Sequence, residues 1–232
     1  MSGKAETPFD PSRTLAEQDL VDEDLHDWRM LIDRLHASFD SDDFVSAVRL
    51  VDAIAVTAGE MDHYPDIDLA FGRVDVRLIS RDVGGVTTRD VALARAISDL
   101  ALAAGATPHP ERTSVLELGL DSADEAQIRP FWAALLGYDT VEAWGEIQLR
   151  DAAGRRPTIW FQPTEAHDVP RQRWHLDLRV PPEMVESRIA AAIEAGGALV
   201  DDTAAPAFWV LADQQGNRAC LTTWQGREPD GA

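Results

Sequence analysis

Cysteine and lysine are almost missing from this 232-residue chain. The one cysteine, Cys220, excludes an intrachain disulfide and a zinc site built from several thiolates. The one lysine, Lys4, leaves arginine to carry nearly all the positive charge and all but removes Schiff-base and lysine general-base chemistry. Positive charge is itself scarce: 41 acids face 21 bases, for a formal charge of −20. Such a field repels phosphate backbones and anionic lipid, so no nucleic-acid partner and no membrane partner is expected. No apolar run reaches the roughly 20 residues that span a bilayer, and no charged-then-apolar leader opens the chain. A cytoplasmic location is the expectation. Also missing are a nucleophile elbow and a glycine-rich phosphate loop.

What is present divides the chain. Residues 1–27 hold eight acids and two bases with little apolar periodicity, which reads as an acidic flexible leader able to condense into a short helix near Leu15–Leu25. Trp28–Phe39 is apolar enough for a strand pair or a helix, and periodicity does not choose between them. A helix is expected from an N-cap at Ser41 or Asp42 to about Ala58, with Phe44, Val48, Val51 and Ala55 on its core face, widened by Val45, Leu50 and Ile54. Alternation in Ile67, Leu69, Phe71 and then Val74, Val76, Leu78 predicts an antiparallel hairpin turning at Gly72-Arg73. Thr87 and Asp90 have capping-box spacing ahead of a helix lined by Val91, Ala94, Ile97 and Ala101.

Residues 105–113 carry two prolines and a glycine without periodicity, and form the expected linker. Beyond it the order strand, helix, strand, strand, strand occurs twice. Each copy has glycine after the helix and an Asp-x-x-Gly turn before the last strand, at Asp151–Gly154 and Asp213–Gly216. Two βαβββ units facing one another across a curved sheet follow. Six of the seven tryptophans lie in this half, where large buried areas suit wall and core positions.

The hairpin and the Gly84-Gly85 turn gather Asp62, His63, Tyr64, Arg81, Asp82 and Asp90 on one side of the first half. One reading is general acid–base chemistry at His63, imidazole being the side chain best suited to it. The other is a loop histidine beside a solvated charge cluster, with Asp90 serving only as a helix cap.

Asp62-His63-Tyr64-Pro65-Asp66, together with Ser80-Arg81-Asp82-Val83-Gly84-Gly85-Val86-Thr87-x-x-Asp90-x-x-Leu93-Ala94, resembles the pterin-4a-carbinolamine dehydratase family, over roughly Trp28 to Leu102. The resemblance implies an α+β fold in residues 28–104, with a four-stranded antiparallel sheet carrying helices on one face. It implies dehydration of 4a-hydroxytetrahydropterin to the quinonoid dihydropterin, with no cofactor. His63, Tyr64, Arg81 and Asp90 take the catalytic positions, and Asp62, Pro65 and Asp82 the substrate-binding ones. The sequence departs from the family's three-histidine pattern at two places, Tyr64 and Arg81, and carries Gly59 where a glutamate is usual. A phenol and a guanidinium do not cycle protons readily at neutral pH. The expectation is therefore a dehydratase with an impaired acid–base cluster. An edge strand in this unit is free to pair across a two-fold axis, so a homo-oligomer is expected.

The second half, residues 114–228, resembles the glyoxalase-like branch of the vicinal-oxygen-chelate superfamily. The resemblance rests on Phe131-Trp132-x-x-x-Leu136-Gly137-Tyr138, Ile159-Trp160-Phe161-Gln162, Arg173-Trp174-His175-Leu176-Asp177 and Ala212-Asp213-x-x-Gly216-Asn217. It places a divalent-metal set at Glu117, His175 and Cys220, with Gln162 as the fourth position. Cys220 reads equally as a small buried hydrophobe, and His175 as a partner of Asp177. The alternatives for the whole chain are a small-molecule binding protein, or a metal-dependent glyoxalase- or dioxygenase-like enzyme acting through this half.

Overall fold

The computed structural model describes residues 13–21, 23–136, 138–143, 145–165, 174–194, 196–212 and 218–226, and the chain divides into two units, 1–113 and 114–232. No helix among the described residues is long and apolar enough to cross a membrane.

In the first unit the ambiguous stretch after Trp28 is a strand pair, β1 (Arg29–Leu31) and β2 (Arg34–Asp40), joined by a tight turn with Ile32 in the left-handed region. The hairpin β3 (Asp66–Ala70) and β4 (Arg73–Leu78) completes an antiparallel sheet of order β1-β2-β4-β3. Alternation drives one face into the core: Leu35, Ala37 and Phe39 from β2 meet Val74, Val76 and Leu78 from β4. Gly72 is required at the hairpin tip, because a Cβ there would stand 2.6 Å from the Ser41 carbonyl oxygen.

Two helices cover that face, α1 (Phe44–Glu60) and α2 (Thr88–Ala103). Asp43 caps α1 by accepting from the Ser46 amide, one residue beyond the expected cap. The buried stripe of α1 is Ala47, Leu50, Ile54 and Ala58, with Val51 packed beside it, so Leu50, Ile54 and Val51 lie on the core as expected while the stripe is centred away from Phe44 and Val45. The two groups lie side by side on the helix, and docking onto the sheet selects the one flush with β3 and β4. Phe44 and Val45 remain more than half exposed.

Two further segments differ from composition. The described part of the expected leader, 13–21 and 23–27, lies on the core: Leu15 and Leu20 pack against it, Leu15 N–H donates to the Val86 carbonyl at 2.7 Å, and Leu25, like the following Trp28, is buried. The helical part is only a 3-10 turn, Glu17–Leu20. The proline-rich 105–113 segment adds a short fifth strand, β5 (Thr107–Pro108), on β2, held by Arg112 against Asp40 at 2.7 Å. Proline is tolerated there because β5 lies at the sheet edge.

The second unit contains β6 (Val115–Ser122), α3 (Glu125–Leu136), β7 (Asp139–Ala143), β8 (Glu146–Arg150) and β9 (Thr158–Pro163). Then come β10 (Trp174–Arg179), α4 (Val185–Glu194), β11 (Ala198–Asp201), β12 (Phe208–Ala212) and β13 (Arg218–Thr222). The sheet order β11-β12-β13-β10-β6-β9-β8-β7 is that of a repeat. In each copy the first strand lies parallel to the last, β6 to β9 and β10 to β13, and the two first strands pair antiparallel at the centre. Leu120, Tyr138, Leu149, Ile159 and Phe161 form the core of one copy; Val180, Val185 and Leu221 form that of the other. The expected turn at Asp213–Gly216 and the glycine at 137 lie outside the described residues.

Candidate active site

The helix α1 ends at Met61, and Asp62 adopts a left-handed conformation (φ 47°) that reverses the chain. His63 N–H then donates back to the Ala58 carbonyl at 3.0 Å, and Pro65 prevents the helix from resuming. These local constraints direct the His63 ring inward, leaving the residue 8% exposed.

Asp90 approaches from the first turn of α2 and is 0% exposed. Its Oδ1 lies 2.7 Å from His63 Nε2. Its Oδ2 accepts the Ser80 hydroxyl at 2.7 Å and the Thr87 amide at 2.8 Å. The capping box is thus formed, and the same carboxylate also holds the imidazole. An ionised carboxylate only accepts, so Nε2 carries the ring proton and Nδ1 is left with its lone pair. The carboxylate, itself held by the Ser80 hydroxyl and the Thr87 amide, fixes the orientation of the ring.

Ser80 is brought in by β4. After Leu78 the alternating phase places residue 80 on the buried side, and Ser80 pairs across a tight turn with Gly85, its N–H donating at 3.0 Å. Gly84 takes φ +69° to close that turn.

Not every expected residue joins His63. Arg81 donates to Asp66 at 2.6 Å, and Asp66 is also approached by Arg34 at 3.4 Å. Tyr64 is 62% exposed. Neither makes a hydrogen bond to His63 or Asp90 among the described residues. Asp82 is exposed and forked by Arg89 at 2.7 and 3.0 Å, and that hydrogen bond holds its carboxyl below the usual range. Asp62 is exposed and Pro65 half-buried, both beside His63 in sequence. Ser80 and Thr87 belong to the network although sequence reasoning did not place them in the site. Thr87 was visible only as a cap, and Ser80 only as the first residue of the motif that carries the family resemblance.

In the second unit, register aligns Glu117, Asp177 and Cys220 side by side across β6, β10 and β13. Glu117 and Asp177 are buried, and Asp177 occupies the place between the two expected ligands. Burial, followed by the charge of Asp177 and a hydrogen bond to it, pushes the Cys220 thiol up to about 12. His175 pairs with Gly119 in the neighbouring row, but its side chain lies outside the described residues. Gln162 is exposed and turns toward the Pro163 carbonyl, so it does not complete the set. Among the described residues no three His, Cys, Asp or Glu side chains gather closely enough to hold a cation.

Comparison with known proteins places both units. Residues 11–100 match the family described as Pterin 4 alpha carbinolamine dehydratase, and residues 117–222 match the Glyoxalase-like domain. A protein of Thermosynechococcus vestitus named "Putative pterin-4-alpha-carbinolamine dehydratase" is 37% identical over 75 residues, covering 32% of this chain and 79% of that protein. A protein of the same name from Nocardia farcinica is 38% identical over 79 residues, covering 34% of this chain and 83% of that one. Among solved structures, a transcriptional coactivator/pterin dehydratase from Brucella melitensis aligns at 29% identity and a TM-score of 0.37, covering 38% of this chain and 99% of that one.

Proposed function

The chain belongs, through its first unit, to the pterin-4-alpha-carbinolamine dehydratase family, and on that premise we propose that it dehydrates a 4a-hydroxytetrahydropterin slowly, with His63 as its single acid–base group. The reaction breaks the C4a–O bond, releases the oxygen as water and takes a proton from ring nitrogen as a new double bond forms. One proton must be accepted and one delivered. Nδ1 of His63 accepts the first, and the resulting imidazolium, held by Asp90 at 2.7 Å, returns a proton to the departing oxygen. No net proton is consumed.

That contact carries the reading. The missing second and third imidazoles set its expected rate. Tyr64 points to solvent and Arg81 is committed to Asp66, so neither shares the proton traffic unless its present contacts change. The reacting residues supply all the chemistry and call for no cofactor. Asp62, Pro65 and Asp82 flank the ring and the turn, and are assigned to substrate binding.

Stopped-flow absorbance with 4a-hydroxytetrahydropterin tests this. A measurable but slow rate above the uncatalysed one, lost in His63→Ala, is expected. No catalysis by the intact protein would overturn the reading.

The second unit is proposed to take a small molecule on the face that carries Glu117, Asp177 and Cys220, because buried polar side chains there line one row of a central sheet. The first unit is proposed to self-associate, because among the described residues β3 ends the sheet order with no strand on its outer edge, and Phe44 and Val45 stand exposed on α1. Light scattering reads that directly, and a monomer at micromolar concentration would refute it.

A further inference from the structure

We infer that Ser80 is a positioning residue for His63, acting through Asp90. The inference rests on the acid–base reading of His63 given above. Ser80 is 0% exposed, so its hydroxyl is shielded from bulk solvent. Its backbone is pinned on both sides: its N–H donates to Gly85, and its carbonyl accepts from Val83 at 3.2 Å and Gly84 at 2.9 Å. The hydroxyl is thereby delivered to a fixed point.

Counting protons gives the network a direction. Each hydroxyl has one proton to donate. Ser80 Oγ is 2.7 Å from Asp90 Oδ2, the charged acceptor in the group, and its proton goes there. The Ser80 and Thr87 hydroxyl oxygens are 2.8 Å apart, so the Thr87 proton is directed to Ser80, in preference to Asp90 Oδ2 at 3.2 Å. The Thr87 oxygen in turn accepts the Arg89 amide at 3.2 Å. The chain therefore runs from the Arg89 N–H through Thr87 and Ser80 to Asp90. It occupies Oδ2 and reserves Oδ1 for the imidazole.

Removing the Ser80 hydroxyl breaks the chain in the middle. The Thr87 proton then turns to Oδ2, the carboxylate follows it, and Oδ1 loses its alignment with Nε2. The imidazole is left less strictly oriented, with its proton no longer confined to Nε2. A tautomer with the proton on Nδ1 cannot accept one there.

Comparing Ser80→Thr with Ser80→Val tests this, since the two side chains have nearly the same volume and differ in the hydroxyl. Nitrogen-15 spectra of labelled histidine should show His63 protonated at Nε2 in the wild type and in Ser80→Thr, and a mixture of tautomers in Ser80→Val. With 4a-hydroxytetrahydropterin, Ser80→Val should lose about tenfold in kcat with KM changed less than about twofold, and Ser80→Thr should restore the rate. If the valine variant does not fold, Ser80→Ala, which adds no bulk, takes its place with the same expected readings. Spectra identical between the hydroxyl-bearing and hydroxyl-free variants would overturn the inference. A tautomer that responds in a protein without turnover would sink the dehydratase reading and leave the positioning role standing.

Discussion

Arg81 Nη2, from the turn that follows β4, donates to Oδ1 of Asp66, the first residue of β3, at 2.6 Å. The bond draws the guanidinium toward β3 at the position where the family carries a hairpin imidazole. Arginine stays charged at any accessible pH, so even a freed Arg81 supplies field and hydrogen bonds, not proton transfer.

Arg81→His should therefore raise dehydration by about 10-fold or more, within the range a positioned acid–base group contributes. Stopped-flow absorbance measures it. An unchanged rate would show that the imidazole at 81 does not reach the reacting atoms.

His63→Ala should lower the rate by about 10²-fold or more. Asp90→Ala should do the same and also destabilise the first unit by about 1–3 kcal/mol, because the buried Thr87 amide and Ser80 hydroxyl lose their acceptor. Urea denaturation separates the two effects: His63→Ala should shift the midpoint less than Asp90→Ala.

His36 gives the first unit an acid-sensitive element. It is half-buried in β2, opposite Arg29 and Arg77, and burial followed by the charges of Arg77 and Arg34 lowers its pKa to about 3. The unfolded chain takes up this proton near pH 6.5 and the folded one only near 3. Stability from this group is complete above about pH 6.5 and falls as pH drops through that window. Denaturation midpoints between pH 6.5 and 4 should decline less steeply in His36→Gln, by at most about 1.4 kcal/mol per pH unit. Equal slopes would show that neither burial nor the charges of Arg77 and Arg34 lower the proton affinity of this imidazole in the folded protein.

Cys220 should be slow to alkylate. With its thiol pushed up to about 12, only about one molecule in ten thousand is thiolate at pH 8. Iodoacetamide should react roughly 10³-fold faster with the urea-unfolded chain than with the folded one. Asp177→Asn, which removes the neighbouring negative charge, should speed the native reaction. A native rate equal to the unfolded one would place the thiol outside this environment.

The parts legible in the sequence are those set by neighbours a few residues apart. The α2 cap is one: Thr87 and Asp90 stand three residues apart and meet whatever surrounds them. The repeated strand and helix order of residues 114–232 is another, and so is the helix-ending proline after His63. The α1 face was legible only in part: Leu50, Val51 and Ile54 were read onto the core, but the period also admitted Phe44 and Val45, and only the β-sheet excludes those. The partners of Arg81 and Cys220 were hidden for a related reason. Asp66 and Asp177 reach them through strand pairing, and a slip of one residue would turn either side chain to the opposite face.

Hydrophobic period, capping spacing and proline placement, all acting over short stretches of chain, thus determined by themselves most of the strands and helices, though not the β1–β2 pair, β5 or the turn at Glu17–Leu20. Only the packed sheet decided that His63 meets Asp90 while Tyr64 and Arg81 turn elsewhere. Those contacts join residues far apart in the chain, and their geometry exists only once strand register and helix docking have been set.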